Sequence, residues 1–409
     1  MTSSTSTQPA EIQKRNYRYV QIDAIGVSIS NVAAPFLPVF LARLGASNFQ
    51  IGLLSSMPGM TGLVLAILVG RFLQTRRNIV PWFSLSRLLV IACYAITGLV
   101  TLLLPKEYTV ISTLAIWAFA TLPSTALAVA FSVVMNAVAG PEGRYALLSR
   151  RWAIFGLTSV VFTFAVSRVI DLVSFPLNFA LMFLGLSLGG LISFEFSSQI
   201  SLPDQEPAPL TAGVSFWDTL KSYYSLMRGA PAFVSFSNKR FVYLSALALS
   251  APIMPLFFVR ELGATNSQIG SINITMTSVM LVGYFFWPWV SRKWSGRIVL
   301  LATSLGMVLY PALTAAFPHV EWVYLFAAIA GLFQSGLDLV FFDELMKTVP
   351  PEYSATFISL AQSMQYLSTI IAPMAGTLLA DYIGLSGTLW LSAGLRLVGF
   401  LLFLKPDKK

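Results

Sequence analysis

Residues 34–52 read APFLPVFLARLGASNFQIG, and residues 251–270 read APIMPLFFVRELGATNSQIG. With one inserted residue, Glu261, twelve positions coincide: Ala, two Pro, Phe, Arg, Leu, Gly, Ala, Asn, Gln, Ile and Gly. Chance similarity between apolar helices favours Leu, Val and Ala. It does not set two prolines, an arginine and an Asn-x-Gln-Ile-Gly run in one register. The copies stand about half a chain apart in a protein of 409 residues. We therefore read a duplication, in which each copy ends the first helix of a half and leads into the second.

Composition says what is duplicated. Hydrophobic residues make up 56% and charged residues 11%, where a soluble domain carries about 25% charged. So few charges cannot cover a water-soluble surface of this size, which excludes a soluble enzyme, a disordered chain and a disulfide scaffold. Cys93 is the only cysteine, so no intrachain disulfide is possible. A hydrocarbon core about 30 Å thick takes roughly 20 apolar residues of helix. Twelve stretches qualify: 17–42, 49–70, 79–104, 108–139, 145–170 and 175–197, then 239–260, 267–289, 296–318, 320–348, 354–380 and 383–405. Six spans per half, in the same sense, are what a parallel repeat requires. The expected fold is an all-α polytopic membrane protein of twelve transmembrane helices in two six-helix bundles.

The organisation follows. Residues 1–16 are polar and Ser/Thr-rich and read as a disordered cytosolic tail without a cleavable signal. Residues 17–197 form the first bundle and 239–405 the second, with 406–409 as a short tail. Residues 198–238 are a linker in which Phe216, Leu220, Tyr223 and Tyr224 fall at helical spacing, as in a short amphipathic helix on the membrane surface. With the N-terminus inside, twenty of the 26 Lys and Arg fall on cytosolic segments. Only Arg43, Lys106 and Arg260 lie opposite, and Arg87, Arg168 and Arg396 lie within spans. This bias places both termini and the linker in the cytosol of a plasma-membrane protein. The net charge of +9 thus reports topology, not nucleic acid.

The loop after the second span reads Gly70-Arg-Phe-Leu-Gln74-Thr75-Arg76-Arg77. With the twelve spans, the central linker and the half-chain repeat, it makes residues 17–405 resemble the major facilitator superfamily of secondary transporters. In that family the loop is typically Gly-x-x-x-Asp-Arg-x-Gly-Arg-Arg. Here the glycine and the arginine pair match, Gln74 stands at the aspartate position, and the loop is shorter. The resemblance implies alternating access, in which two bundles rock about a cavity lined mainly by the first, fourth, seventh and tenth spans. It also implies a small-molecule substrate and a monomer in the bilayer, with proton coupling left open.

Polar groups that a lipid-facing helix would not tolerate mark the candidate site. In the tenth span Gln334 and Asp338 share a face at i, i+4. Asp338 is read as a proton-coupling or cation-contacting carboxylate, or else as a structural partner of an arginine. Asp23, in the first span, reads as an ion-pair partner of Arg150 or Arg151, or as a second coupling carboxylate. Asn31 is a mid-membrane cavity candidate. Trp117 and Ser124 in the fourth span, and Gln365 and Tyr366 in the eleventh, complete the expected lining. Arg87 and Arg396 read as snorkelling to the headgroups, or as anion contacts. Gly185, Gly189 and Gly190 in the sixth span suit close helix approach. A cytosolic gate is expected from Arg76, Arg77, Arg150 and Arg151 facing Asp343 and Glu344, with Arg144 and Glu352 beside them.

Absences narrow the chemistry. His319 is the only histidine, so no nucleophile–His pair exists. There is no phosphate-cradling Gly-x-x-x-x-Gly-Lys motif and no cluster with metal-ligand spacing. No cofactor, metal or catalytic residue is expected. The leading reading is a secondary transporter of a small, partly apolar organic solute. A non-transporting assembly factor or receptor on the same scaffold, or a passive facilitator, stays open.

Overall fold

The computed structural model describes residues 10–203, 229–348 and 354–405, and all regular structure among them is helical. In the first half α1 (Ala10–Asn31) and α2 (Phe36–Arg43) make one broken crossing. They are followed by α3 (Asn48–Gln74), α4 (Val80–Leu103), α5 (Lys106–Val169), a 3-10 turn (Ile170–Leu172), α6 (Leu177–Ser187) and α7 (Gly189–Ser198). In the second half α8 (Pro231–Ser250) and α9 (Ile253–Arg260) again make one broken crossing. Then come α10 (Asn266–Lys293), α11 (Gly296–Ala316), α12 (Val320–Thr348) and α13 (Ser354–Leu404).

Ten apolar stretches among the described residues are long enough to cross a membrane. Two lie in α5, at Lys106–Ala139 and Arg150–Leu172. The last, Leu360–Leu404, breaks at Gly384 with φ 75° and so holds two. With the 27 residues of α3, the described residues hold twelve spans. It is an all-α integral membrane protein. Side chains such as Leu103, Leu172 and Phe285 stand exposed on its surface, as a hydrocarbon solvent allows.

Two boundaries differ from expectation. The first helix is already formed at Ala10, ahead of 17, and Asn16 is buried and exchanges two hydrogen bonds with the backbone of Ser201, at 2.7 and 3.1 Å. The seventh span starts at Pro231, not at 239, since a proline in the first helical turn forfeits no intrahelical bond. The amphipathic helix expected around 216–224 lies outside the described residues.

Several residue types shared by the two copies answer a physical need. Pro35 and Pro252 stand in the breaks between α1 and α2 and between α8 and α9, where they cannot continue a helix. Gly45 and Gly263 take φ values of 89° and 59°, the left-handed region that glycine enters freely. Ser47 and Gln50 cap the start of α3 reciprocally, at 3.2 and 2.8 Å. Thr265 and Gln268 do the same for α10, at 3.2 and 2.8 Å. Each is a capping box, which satisfies two helix N-terminal donors at once. Gly52 and Gly270 lie where a β-carbon would collide with Thr377 and Ser167.

The chain packs as two compact units. One holds the described parts of Met1–Ala34, Val64–Phe162 and Leu172–Leu210; the other holds those of Pro35–Leu63, Thr163–Asp171 and Thr211–Lys409. In the first unit α1 lies against α7, with Gly26 and Gly189 so close that neither has room for a β-carbon. Gly190 is equally confined by Ile91, whereas Gly185 has open space beside it. The core there includes Val20, Phe83, Val134, Met135 and Leu147. In the second unit α8 packs on α13, and α12 on α10 and α11. Its core is aromatic, built on Phe233, Phe236, Tyr243, Phe341, Phe357 and Phe403. Lipid tails are as apolar as these side chains, so close packing and interhelical hydrogen bonds hold the helices together rather than transfer from water.

Candidate functional site

The second unit contains a cavity of about 310 Å³ between α8, α12 and α13. Leu244, Leu247, Leu337, Phe341, Leu345 and Met346 make its apolar wall. Its polar groups are Arg240 from α8, Gln334 and Asp338 from α12, and Gln362 and Gln365 from α13. Gln334 donates Nε2–H to Asp338 Oδ1 at 2.7 Å, as the i, i+4 spacing allows. Tyr284 of α10 donates its hydroxyl to Asp338 Oδ2 at 3.1 Å. Arg240 donates from Nη2 to Gln365 Oε1 at 2.9 Å and lays its guanidinium 5.9 Å from the Phe341 ring centre. Its Nε is buried without a partner. Among the described residues neither Arg240 nor Asp338 forms an ion pair. A cation and an anion thus share one cavity, each held by a neutral amide.

Of the seven expected cavity residues, Gln334, Asp338 and Gln365 come together here. Tyr366, next on α13, is half-buried and fills the space that Gly62 leaves on α3. Asn31, Trp117 and Ser124 belong to the first unit. Asn31 is exposed at the end of α1. Trp117 donates to Thr97 Oγ1 at 3.2 Å and meets Tyr94 edge-on at 4.6 Å. Ser124 bonds back to Ala120 O of its own helix at 2.7 Å. Arg240 was absent from the expected lining. It falls with Lys239 among the cytosolic topology charges, although the repeat register sets it opposite Asp23, and that register is the signal that points to it.

Asp23 sits at the centre of a closed charge cluster. It is fully buried and ion-paired with Arg87; Arg151 Nη2 lies 3.8 Å from its other oxygen, and Ser193 Oγ donates to it at 2.7 Å. Arg87 and Arg151 also stack on Phe83 and Phe131, at 4.4 and 4.7 Å. Two expectations are corrected. Arg151, read both as a cytosolic gate residue and as a partner of Asp23, is inside the bundle beside the Asp23 carboxylate, which offers it a counter-charge there. Arg87 does not snorkel, for the same reason. Arg396 does not snorkel either: it is buried and donates to Met307 O at 2.7 Å and Ser250 Oγ at 2.6 Å. The other gate candidates have local partners or face outward within their own units. Arg76, Arg77 and Arg150 are exposed, and Arg76 stacks on Phe72 at 4.3 Å. Asp343 and Glu344 are each 2.7 Å from Lys347 on their own helix. The side chains of Arg144 and Glu352 lie outside the described ones.

The second unit also gathers the two repeat copies at one end, and they clasp each other. Arg43 Nε donates to Asn266 Oδ1 at 2.9 Å, and its Nη2 to Ala264 O at 2.6 Å. Arg260 donates to Asn48 Oδ1 and Ala46 O, the same positions in the other copy. Asn266 donates in turn to Asp171 at 2.8 Å, and Asn48 to Asp381 at 2.6 Å. Two chains of Arg, Asn and Asp thus run between the copies with two-fold symmetry.

Residues 240–409 match the profile described as Major Facilitator Superfamily. Solved structures agree over nearly the whole chain. A POT family transporter in complex with a thioalcohol-conjugated peptide superimposes with a TM-score of 0.72 at 13% identity, covering 95% of both chains. A bacterial homologue of the iron transporter ferroportin, in an inward-facing state, gives 0.70 at 15% identity, covering 98% of this chain and all of that one.

The second half of the chain is similar to the major facilitator superfamily.

The chain's fold is one that these solved transporters share. Among curated relatives, the multidrug resistance protein MdtG of Citrobacter koseri is 28% identical over 168 residues. That match takes in 39% of this chain and 40% of the relative, so the chain spans about two fifths of the length of the curated relatives it matches.

Proposed function

We propose that the protein is a secondary active transporter. It moves a small, partly apolar organic solute across the plasma membrane by alternating access, with both chain ends in the cytosol. The observation that carries the reading is the cavity of Arg240, Asp338 and three glutamines inside an apolar bundle. An ionisable side chain within a span costs roughly 2.5–3.5 kcal/mol against lipid on insertion scales, so it is kept for water or a solute. Asp338 is the coupling carboxylate in this reading, because neutral donors hold it and no arginine locks it in the charged form. Asp23, sealed by Arg87 and Arg151, has a structural role instead. The protein works as a monomer without a cofactor. The apolar wall of the cavity suits a drug-like solute, and the partial similarity to multidrug resistance proteins favours export.

Proteoliposomes holding purified protein test this. Under an imposed pH gradient, ethidium, a partly apolar cationic dye, accumulates on one side and leaks back when the gradient is dissipated. No accumulation refutes transport of such solutes. Movement that only equalises concentrations identifies a passive facilitator.

A further inference from the structure

The repeat permits an internal comparison at the cavity. Arg240 stands at the position that Asp23 holds in the first half. Asp23 is neutralised by Arg87 and Arg151. Arg240 has only the amide of Gln365, and its Nε has no partner. Asp338 is likewise held by Gln334 and Tyr284, both neutral. An ion in apolar surroundings is costly until a counter-charge reaches it. Among the described residues the chain supplies none to either group.

We infer that the solute supplies both: the cavity takes an amphoteric molecule. Its carboxylate or similar acceptor meets Arg240, whose planar fork suits such a group. Its protonated amine meets Asp338. Its apolar body lies on Leu244, Leu247, Phe341 and Leu345. The volume of about 310 Å³ is at the small end of small-molecule sites and suits an aryl amino acid in size. This inference rests on the reading of the cavity as a solute site.

Melting of the purified protein with three matched probes tests it: phenylalanine, its methyl ester and its N-acetyl derivative. Phenylalanine, carrying both charges, is expected to bind about tenfold more tightly than either singly charged probe, a difference read as a larger rise in Tm. Gln365→Glu is isosteric and gives Arg240 an internal carboxylate. It should erase the advantage of phenylalanine over the ester. Asp338→Asn should erase the advantage over the N-acetyl probe. The inference is overturned if a singly charged probe matches phenylalanine, if no probe binds, or if Gln365→Glu leaves the preference unchanged. Ethidium transport without charge-selective probe binding defeats this inference alone. Charge-selective binding without transport of any solute defeats the transport reading alone.

A second inference comes from the clasp. The geometry points to a latch, in which Arg43–Asn266–Asp171 and Arg260–Asn48–Asp381 hold the two repeat copies together and must part for the chain to open at that end. The arms are equivalent by symmetry, so each should contribute alike. A cysteine at Leu244, with Cys93→Ser to remove the native thiol, reports access to the cavity. Arg43→Gln and Arg260→Gln should each speed labelling by an impermeant thiol reagent from the clasp face by about tenfold, within the range typical of coupled sites. Labelling from the opposite face should slow in step, which misfolding would not produce. The latch is refuted if the double variant labels from the clasp face at the original rate.

Discussion

Asp23 and Asp338 are both carboxylates within apolar spans, and their surroundings set different roles. Asp23 has no exposure and is close to two arginines. Removing its charge with Asp23→Ala leaves two buried cations uncompensated, a loss of about 3–5 kcal/mol for broken buried pairs. The expected outcome is a large fall in melting temperature, measured in detergent. Asp338 is exposed to its cavity and bonded by neutral donors. Asp338→Asn should fold with an unaltered melting temperature and lose the dependence of transport on the pH gradient. Equal destabilisation of the two variants would contradict these assignments. The polar residues of the spans were visible in the sequence, but their partners were not. One carboxylate at an i, i+4 position looks like another until the helix that faces it is known. Arg240 and Arg151 show the same limit: a charge near a predicted membrane boundary counts equally well as topology or as interior.

At the scale of elements, the repeat made most of the fold legible. Two prolines, a glycine and a Ser/Thr-x-x-Gln box specify a break, a turn and a helix start, all local events that need no tertiary context. Thr265→Ala should therefore cost about 1 kcal/mol through loss of the α10 cap, checked by melting. Helix approach was less legible. Gly189 and Gly190 are tightly packed and Gly185 is not, although all three look alike in sequence. Gly26→Val forces a side chain between α1 and α7, and overpacking of this kind typically costs about 1–3 kcal/mol. The same substitution at Gly185 meets open space and should at most gain the small helix-propensity difference between Gly and Val. A comparable fall in melting temperature at both positions would refute the packing assignment.

At the scale of the molecule, duplication supplies both the scaffold and its asymmetry. The two copies keep the clasp residues matched, Arg43 with Arg260 and Asn48 with Asn266. They have diverged at the position of Asp23 and Arg240, caged in one half and open to a cavity in the other. The central claim is that this cavity is reached from each face of the membrane in turn. The direct measurement is labelling of Leu244→Cys, with Cys93→Ser, by an impermeant thiol reagent applied to one face at a time. Reaction from both faces, with gains on one side matched by losses on the other when the clasp is weakened, is the predicted result. Reaction from a single face under every condition would contradict alternating access.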